Sequence, residues 1–340
     1  MENDDSEPRF RLLCGEVIAG QRQSAKRGSR AIEFIATTES PDPAGCVTAE
    51  RIAMKFLIFG CGYLGKRVAS AWIQAGHQVF AVTRSEQNAE SFRVLGIRPI
   101  VADLCESESL KDLPQVDVVL NAVGFDRNSK RTHEEVTCGG LRNILAAIAG
   151  RCTRFLQISS TSVYGQSEGE WVDETSPCDP NSPGGQLCVR AEQMVRERFS
   201  HQTGCSAQIL RLAGIYGPDR ILSRIESLKA GLILVGRPDS WLNLIHVDDA
   251  VTAILACERQ AHSNQTYLVV DDKPILRSTY YETLAELVQA PPPVFDSSQP
   301  SPRGSGGVNK RCSNQKLREV LGWNPVYPSI TTGLPHAIHQ

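Results

Sequence analysis

The sequence predicts an α/β fold, a doubly wound parallel sheet with a smaller lobe towards the C-terminus. Two observations lead there. From Lys55 onward, short apolar runs of strand length alternate with amphipathic segments of helix length, the grammar of repeated βαβ units. The first of these runs also leads straight into Gly60-Cys61-Gly62-Tyr63-Leu64-Gly65, a glycine-rich turn that opens a helix. Strands buried between two helical layers read as continuous apolar runs, and right-handed crossovers between them generate the doubly wound order.

The elements follow in turn. Phe56 to Phe59 is the first strand; on the helix after it, Leu64, Val68, Trp72 and Ala75 share one face, and Gly76 stands where a helix-ending glycine belongs. Val79 to Val82 is the second strand, Glu86 to Leu95 a helix, and Ile100 to Ala102 a third strand ending at Asp103-Leu104. Val116 to Ala122 is a fourth strand, Glu134 to Ala149 a helix, and Phe155 to Ser159 a fifth strand. Beyond these the pattern loosens: a helix over Ala191 to Ser200, a strand over Ile209 to Leu212, a helix over Val247 to Cys257, and a short helix over Asn314 to Leu321. Residues 291 to 307, rich in Pro, Ser and Gly, read as a loop. The division expected is residues 54–180 as a Rossmann-type nucleotide-binding domain, and 181–340 as the remaining strands plus a substrate lobe.

Composition sets the bounds. With 41% hydrophobic residues among 340 the chain can bury a substantial core, and a net charge of −2 argues against nucleic acid or an anionic membrane as partner. No apolar run approaches the length of a bilayer span. The 11 cysteines are scattered singly without Cys-x-x-Cys pairs, which argues against a disulfide framework or a zinc site and for a reducing cytoplasm. Residues 1–53 are polar and aperiodic, with the basic stretch 21–30 and the turn-rich 40–43, and Met54 immediately precedes the first strand. They read as a disordered tail or an over-long start.

The glycine loop implies a dinucleotide. Gly60 permits the tight turn, Gly62 lets the backbone approach a pyrophosphate, and Gly65 allows close helix–strand packing; the helix N-terminus at Tyr63 and Leu64 supplies free N–H groups and a positive dipole end. The end of the second strand, about twenty residues on, selects the nucleotide. An acidic residue there would bond the ribose hydroxyls of NAD. This chain has Arg84-Ser85, a guanidinium fork and a hydroxyl suited to the 2′-phosphate of NADP, while Glu86 keeps NAD open.

The run Phe155-Leu-Gln-Ile-Ser-Ser-Thr-Ser-Val-Tyr-Gly165 resembles the NAD-dependent epimerase/dehydratase family, the extended short-chain dehydrogenases. Asp103-Leu104, Asn121-Ala122-Val123-Gly124, Leu210 to Pro218, Ile245 to Asp249, Asn309-Lys310-Arg311 and Leu321-Gly322-Trp323 agree, so the likeness runs from about residue 54 to 335. It implies that Asp103 and Leu104 lie by the adenine, that Ala122 and Val123 line the nucleotide cleft, and that Ser160 holds a substrate oxygen. The departure is in the chemistry. Family members use a tyrosine as acid and base, with a lysine four residues on, and alignment of Asn181-Ser182-Pro183 puts Gly184 and Cys188 at those places. No Tyr-x-x-x-Lys occurs anywhere in the chain. Phe59 also replaces the family's usual first glycine, so the chain resembles an atypical member.

Other residues carry a functional and a bland reading side by side. Tyr164 is a ring under the nicotinamide or a structural residue; Cys188 a reactive thiol or a helix residue; His246 before Asp248-Asp249 a metal ligand or part of a turn whose aspartate caps the helix. Arg211 and Arg220 flank Gly217-Pro218, where they would hold an anionic substrate or form ordinary ion pairs. No metal is expected, and the chain is expected to be a monomer or homodimer. Two functions stay open: an NADP-dependent oxidoreductase or epimerase on a small or nucleotide-linked substrate, and a non-catalytic NADP-binding sensor or regulator.

Overall fold

The computed structural model describes residues 53–200, 204–260, 264–298 and 308–338. The expectation for residues 1–53 therefore falls, Ala53 apart, outside the described residues. Seven strands form one sheet: β1 (Lys55–Phe59), β2 (Gln78–Thr83), β3 (Arg98–Val101), β4 (Val118–Asn121), β5 (Arg154–Ser160), β6 (Ser206–Leu212) and β7 (Gln265–Val269). Their order is β7-β6-β5-β4-β1-β2-β3, and every pairing is parallel. The chain starts in the middle at β1, winds outward through β2 and β3, then returns to β4 on the other side of β1. That reversal is the topological switch point of a Rossmann fold, where a crevice opens at the carboxyl ends of the strands.

Helices cover both faces, so the central strands are apolar throughout: Phe56, Leu57, Ile58 and Phe59 of β1 are all fully buried. Their alternation serves two cores. Phe56 and Ile58 pack with Val68 and Trp72 of α1 (Tyr63–Gln74), the Phe56 and Trp72 rings stacking at 4.2 Å between centroids. Leu57 and Phe59 face the other layer, with Leu141 and Ile144 of α3 (Gly140–Ala147) and Val195 and Phe199 of α4 (Pro183–Phe199). Between α1 and α3 in sequence lies α2 (Glu86–Val94). A third apolar cluster builds the C-terminal lobe from α5 (Leu222–Lys229), α7 (Arg277–Leu287) and α9 (Ile330–Ile338), around Tyr216, Leu228, Tyr280, Leu284 and Leu334. The helices α6 (Val247–Arg259) and α8 (Gln315–Leu321) complete the set.

Several elements differ from expectation, each for a local reason. α4 begins at Pro183, eight residues before the expected Ala191: Ser182 caps it by accepting the Gly185 N–H at 3.1 Å, and Pro183 suits a first helical turn. The Gly184-Gly185 pair hid this start. Gly185 is needed there, because a Cβ would stand 2.4 Å from the Ser162 carbonyl oxygen. The helix expected from Glu134 opens instead at His133, under a capping box in which Glu135 N donates to Thr132 Oγ1 (3.1 Å) and Thr132 N to Glu135 Oε2 (2.7 Å). It then makes a π turn over Glu135–Gly139 before α3. β3 begins at Arg98, two residues early, because an edge strand tolerates Pro99. Within the expected loop 291–307, Phe295–Asp296 pairs in parallel with Leu234–Val235, and residues 299–307 lie outside the described ones.

Candidate functional site

A cleft of about 910 Å³ opens where the strand order reverses, above the carboxyl ends of β1, β2 and β4. The glycine loop forms its floor. Gly60 has φ +82°, and a Cβ on it would lie 2.4 Å from the Ala122 carbonyl carbon and oxygen, so only glycine lets β1 turn this close to the end of β4. A Cβ on Gly65 would meet the Gly60 oxygen at 2.7 Å. Gly62 is different: a Cβ there would meet nothing within 4 Å, because it would project into open space. No side chain caps the α1 N-terminus and its first turn holds no acid, which leaves its N–H groups and positive dipole end to face an anion. A bare backbone cradle ending in an uncapped helix fits the pyrophosphate of a dinucleotide.

The remaining expected residues line the same cleft. Tyr63 and Leu64 follow the loop, Arg84 and Ser85 come from the end of β2, Asp103 and Leu104 from beyond β3, and Ala122 and Val123 from beyond β4. Gly65 and Ser160 are outside the lining. Arg84 is exposed and has no ion-pair partner among the described residues. Ser85 has a second task, since its Oγ caps α2 by accepting the Asn88 N–H at 3.3 Å. The lobe closes one side through Ile215 and Arg220. Tyr63 joins the two parts: its hydroxyl donates to the Pro218 carbonyl at 2.7 Å, and its ring lies between the guanidinium groups of Arg67 (4.1 Å) and Arg220 (5.2 Å). Burial raises its pKa, with the two arginines opposing, so the phenol stays protonated.

Residues 56–269, well over half the chain, match the NAD dependent epimerase/dehydratase family. The chain belongs to that family. Protein YeeZ of Escherichia coli K12 is 28% identical over 282 residues, covering 81% of this chain and 96% of its own. A 3-diazoavenalumate denitrifying reductase of a Streptomyces species is 27% identical over 83% of this chain and 99% of its own. Among solved structures, a conserved protein of unknown function from Silicibacter pomeroyi superposes with a TM-score of 0.69 at 27% identity, over 83% of this chain and 97% of its own.

Against the epimerase/dehydratase pattern, the places of the acid–base pair hold no such pair. Gly184 lies in the first turn of α4, where a Cβ would touch His133 Cε1 at 3.4 Å. Cys188 lies one turn on, its sulfur 3.9 Å from Ser162 Oγ, and burial raises its pKa, so it is a thiol rather than a reactive thiolate. Ser160 ends β5 with its Oγ accepting the Ser162 N–H at 3.1 Å, a local turn bond. Tyr164 is structural: fully buried, its hydroxyl donates to the Asp173 carbonyl at 2.7 Å and receives Arg211 Nη1 at 2.6 Å. Desolvation holds its pKa above the ordinary tyrosine value.

One pair of readings is decided and one expectation needs correction. Of the two readings of Arg211 the ion pair holds: its fork binds the buried Glu192 through Nε (2.9 Å) and Nη2 (2.7 Å). The strand alternation that turns Arg211 inward also requires a buried counter-ion, and sequence spacing gave no sign of Glu192. The cap of α6 is His246 and not an aspartate: its Nδ1 accepts the Asp248 N–H at 3.2 Å, while Asp249 accepts the N–H groups of Val326 (2.7 Å) and Tyr327 (2.8 Å). With Nδ1 so engaged, the fully buried His246 turns Nε2 to His336 Nδ1 at 3.2 Å. Asp248 lies close enough that the three offer a set of metal-type donors within 4.8 Å of one another. Burial presses the pKa of His246 down to about 4, against the pull of Asp248.

Sequence reasoning missed Lys310, whose buried ammonium donates to the Tyr164 carbonyl at 2.9 Å and fixes the turn after β5 from a remote segment. It also missed the wall formed by Phe125, Asp126, Ser129 and Val136. The capping box Thr132-x-x-Glu135 was the one readable signal that a helix turns beside the cleft there.

Proposed function

We propose that this protein is an NADP-preferring oxidoreductase or epimerase-type enzyme acting on a small or nucleotide-linked substrate. The observation that carries the reading is the cleft itself, lined both by a glycine cradle and by the exposed Arg84, which has no ion-pair partner among the described residues. In this reading the Gly60–Gly65 backbone and the α1 N-terminus hold the pyrophosphate, Arg84 and Ser85 the 2′-phosphate, Asp103 and Leu104 the adenine, and Ala122 and Val123 the rest of the nucleotide. The bound cofactor supplies or accepts a hydride. Arg220, exposed on the lobe side with no ion-pair partner among the described residues, holds an anionic part of the substrate. The likeness to the Streptomyces reductase, over 99% of that protein's length, supports reductive chemistry over other uses of the fold. The empty tyrosine and lysine places favour a second reading, a dinucleotide sensor without turnover.

Replacing Arg84→Ala tests the nucleotide preference. Loss of one exposed charge-assisted contact weakens NADP by about 1.5 kcal/mol, roughly tenfold, and leaves NAD within about twofold. Calorimetric titration with both nucleotides reads this directly. Equal losses for the two, or tighter binding of NAD by the wild-type protein, removes Arg84 from the 2′-phosphate. Turnover of a panel of nucleotide sugars and small carbonyls separates the enzyme from the sensor.

A further inference from the structure

Glycine at 184 is not demanded by the backbone, which has no left-handed φ there; what stands beside it is a histidine. His133 opens the helix that runs into α3, and its Cε1 lies at contact distance from the point where a side chain at 184 would begin. The imidazole stacks on Phe125, with centroids 4.4 Å apart and planes 16° from parallel. Phe125 lines the cleft, as do Ser129 before His133 and Val136 after it; His133 itself is outside the lining and stands directly behind Phe125 through their stack. The helix then makes its π turn, a distortion that recurs where a helix is bent to serve a site.

We propose that His133 is the proton-transfer group of this cleft, acting from beside the place where the family's tyrosine is absent. This rests on the dinucleotide reading above. The tyrosines beside the cleft and the cysteine at the lysine's place are occupied: the Tyr164 hydroxyl by Arg211 and Asp173, the Tyr63 hydroxyl by Pro218, and Cys188 by burial. In a carbonyl reduction, the carbonyl carbon takes a hydride from reduced NADP and forms the new C–H bond. The π pair moves to oxygen, and that oxygen takes its proton from the His133 imidazolium, leaving neutral imidazole and oxidised cofactor. In the reverse direction, neutral imidazole takes the hydroxyl proton as hydride leaves carbon. Burial, and then the charge of Arg127, hold His133 below the ordinary histidine value, and the positive end of its own helix acts the same way. On the α4 side, Arg190 is tied to Glu134 at 2.6 Å. The ring is therefore mainly neutral at pH 7, ready as a base, and reduction accelerates as pH falls towards its pKa.

Histidine resonances followed by NMR across a pH titration test this without a substrate. His133→Asn identifies the signal by removing it. With the wild-type protein, saturating oxidised NADP should move the His133 midpoint about one pH unit below its value with reduced NADP, because the positive nicotinamide ring would stand within a few ångströms. Identical midpoints with the two forms, while the Gly60–Gly65 amide signals show saturation, overturn the proposal. No response in those amides to either form removes the dinucleotide reading instead, and the proposal falls with it.

Discussion

Replacing Glu192→Ala removes the counter-ion on which the wall behind the candidate site is built. The Glu192 carboxylate receives four bonds: Oε1 from Arg211 Nε at 2.9 Å and Ser159 Oγ at 2.7 Å, Oε2 from Arg211 Nη2 at 2.7 Å and Arg196 Nη2 at 2.8 Å. The side chains of Arg211 and Glu192 are only 4% and 1% exposed. With Glu192 gone, the Arg211 guanidinium stays buried beside the Tyr164 hydroxyl and the Cys178 thiol, neither of which carries a compensating charge. Breaking a buried pair from one side costs about 3–5 kcal/mol. For a domain of this size that corresponds to a fall in Tm of about 6–20 °C, measured by circular dichroism at pH 7.5. Replacing both partners with apolar residues, Glu192→Leu with Arg211→Met, removes the orphaned charge and should recover part of the loss. The pH dependence follows. Burial alone would raise the Glu192 pKa, but the bonds and charge of Arg211, with Ser159 and Arg196, outweigh it and hold it below the usual value. A carboxyl depressed in the folded state stabilises fully above its unfolded pKa and loses that contribution as pH falls through the folded one. The gap between wild type and Glu192→Ala should stay constant from pH 8 to about pH 5, then narrow in acid. A Tm within about 2 °C of wild type at pH 7.5 would refute the assignment of a buried, uncompensated charge.

Two glycine substitutions should separate binding from folding. Gly62→Val meets open space, so it should leave Tm nearly unchanged while abolishing binding of both nucleotides in calorimetry; Gly60→Val, at φ +82° and against the Ala122 backbone, should lower Tm sharply or prevent folding. Loss of stability in Gly62→Val would contradict the cradle. His246, with its pKa lowered to about 4 by burial, is protonated more readily in the unfolded chain, so its contribution to stability is complete above about pH 6.5 and declines as pH falls towards 4. His246→Gln should flatten thermal stability across that window, and an unchanged slope would count against a buried neutral ring.

The order of elements and the residues around the dinucleotide cleft were legible because both are local. A strand, a glycine turn and a helix N-terminus are consecutive in sequence, so Gly60, Gly62 and Gly65 announce one physical object. Arg84, Asp103 and Ala122 each end or follow a parallel strand, and parallel strands deliver their carboxyl ends to the same edge. The start of α4 was hidden because two glycines with poor helix propensity stand there, and at Gly185 Ser162 leaves no room for a side chain, a constraint set by a residue 23 positions away. The fate of Arg211 could not be read either. Whether an arginine faces a substrate or a buried carboxylate depends on which residue of α4 packs against β6, and Glu192 is 19 positions distant along the chain. The same holds for His133 beside Gly184 and for His336 against His246, pairs separated by 51 and 90 positions. The sequence by itself determined the fold and the dinucleotide end of the cleft, where backbone geometry and strand order do the positioning. Only the tertiary structure decided which side chains meet at the other end, because those contacts form between helices and loops whose approach is set by packing and not by spacing.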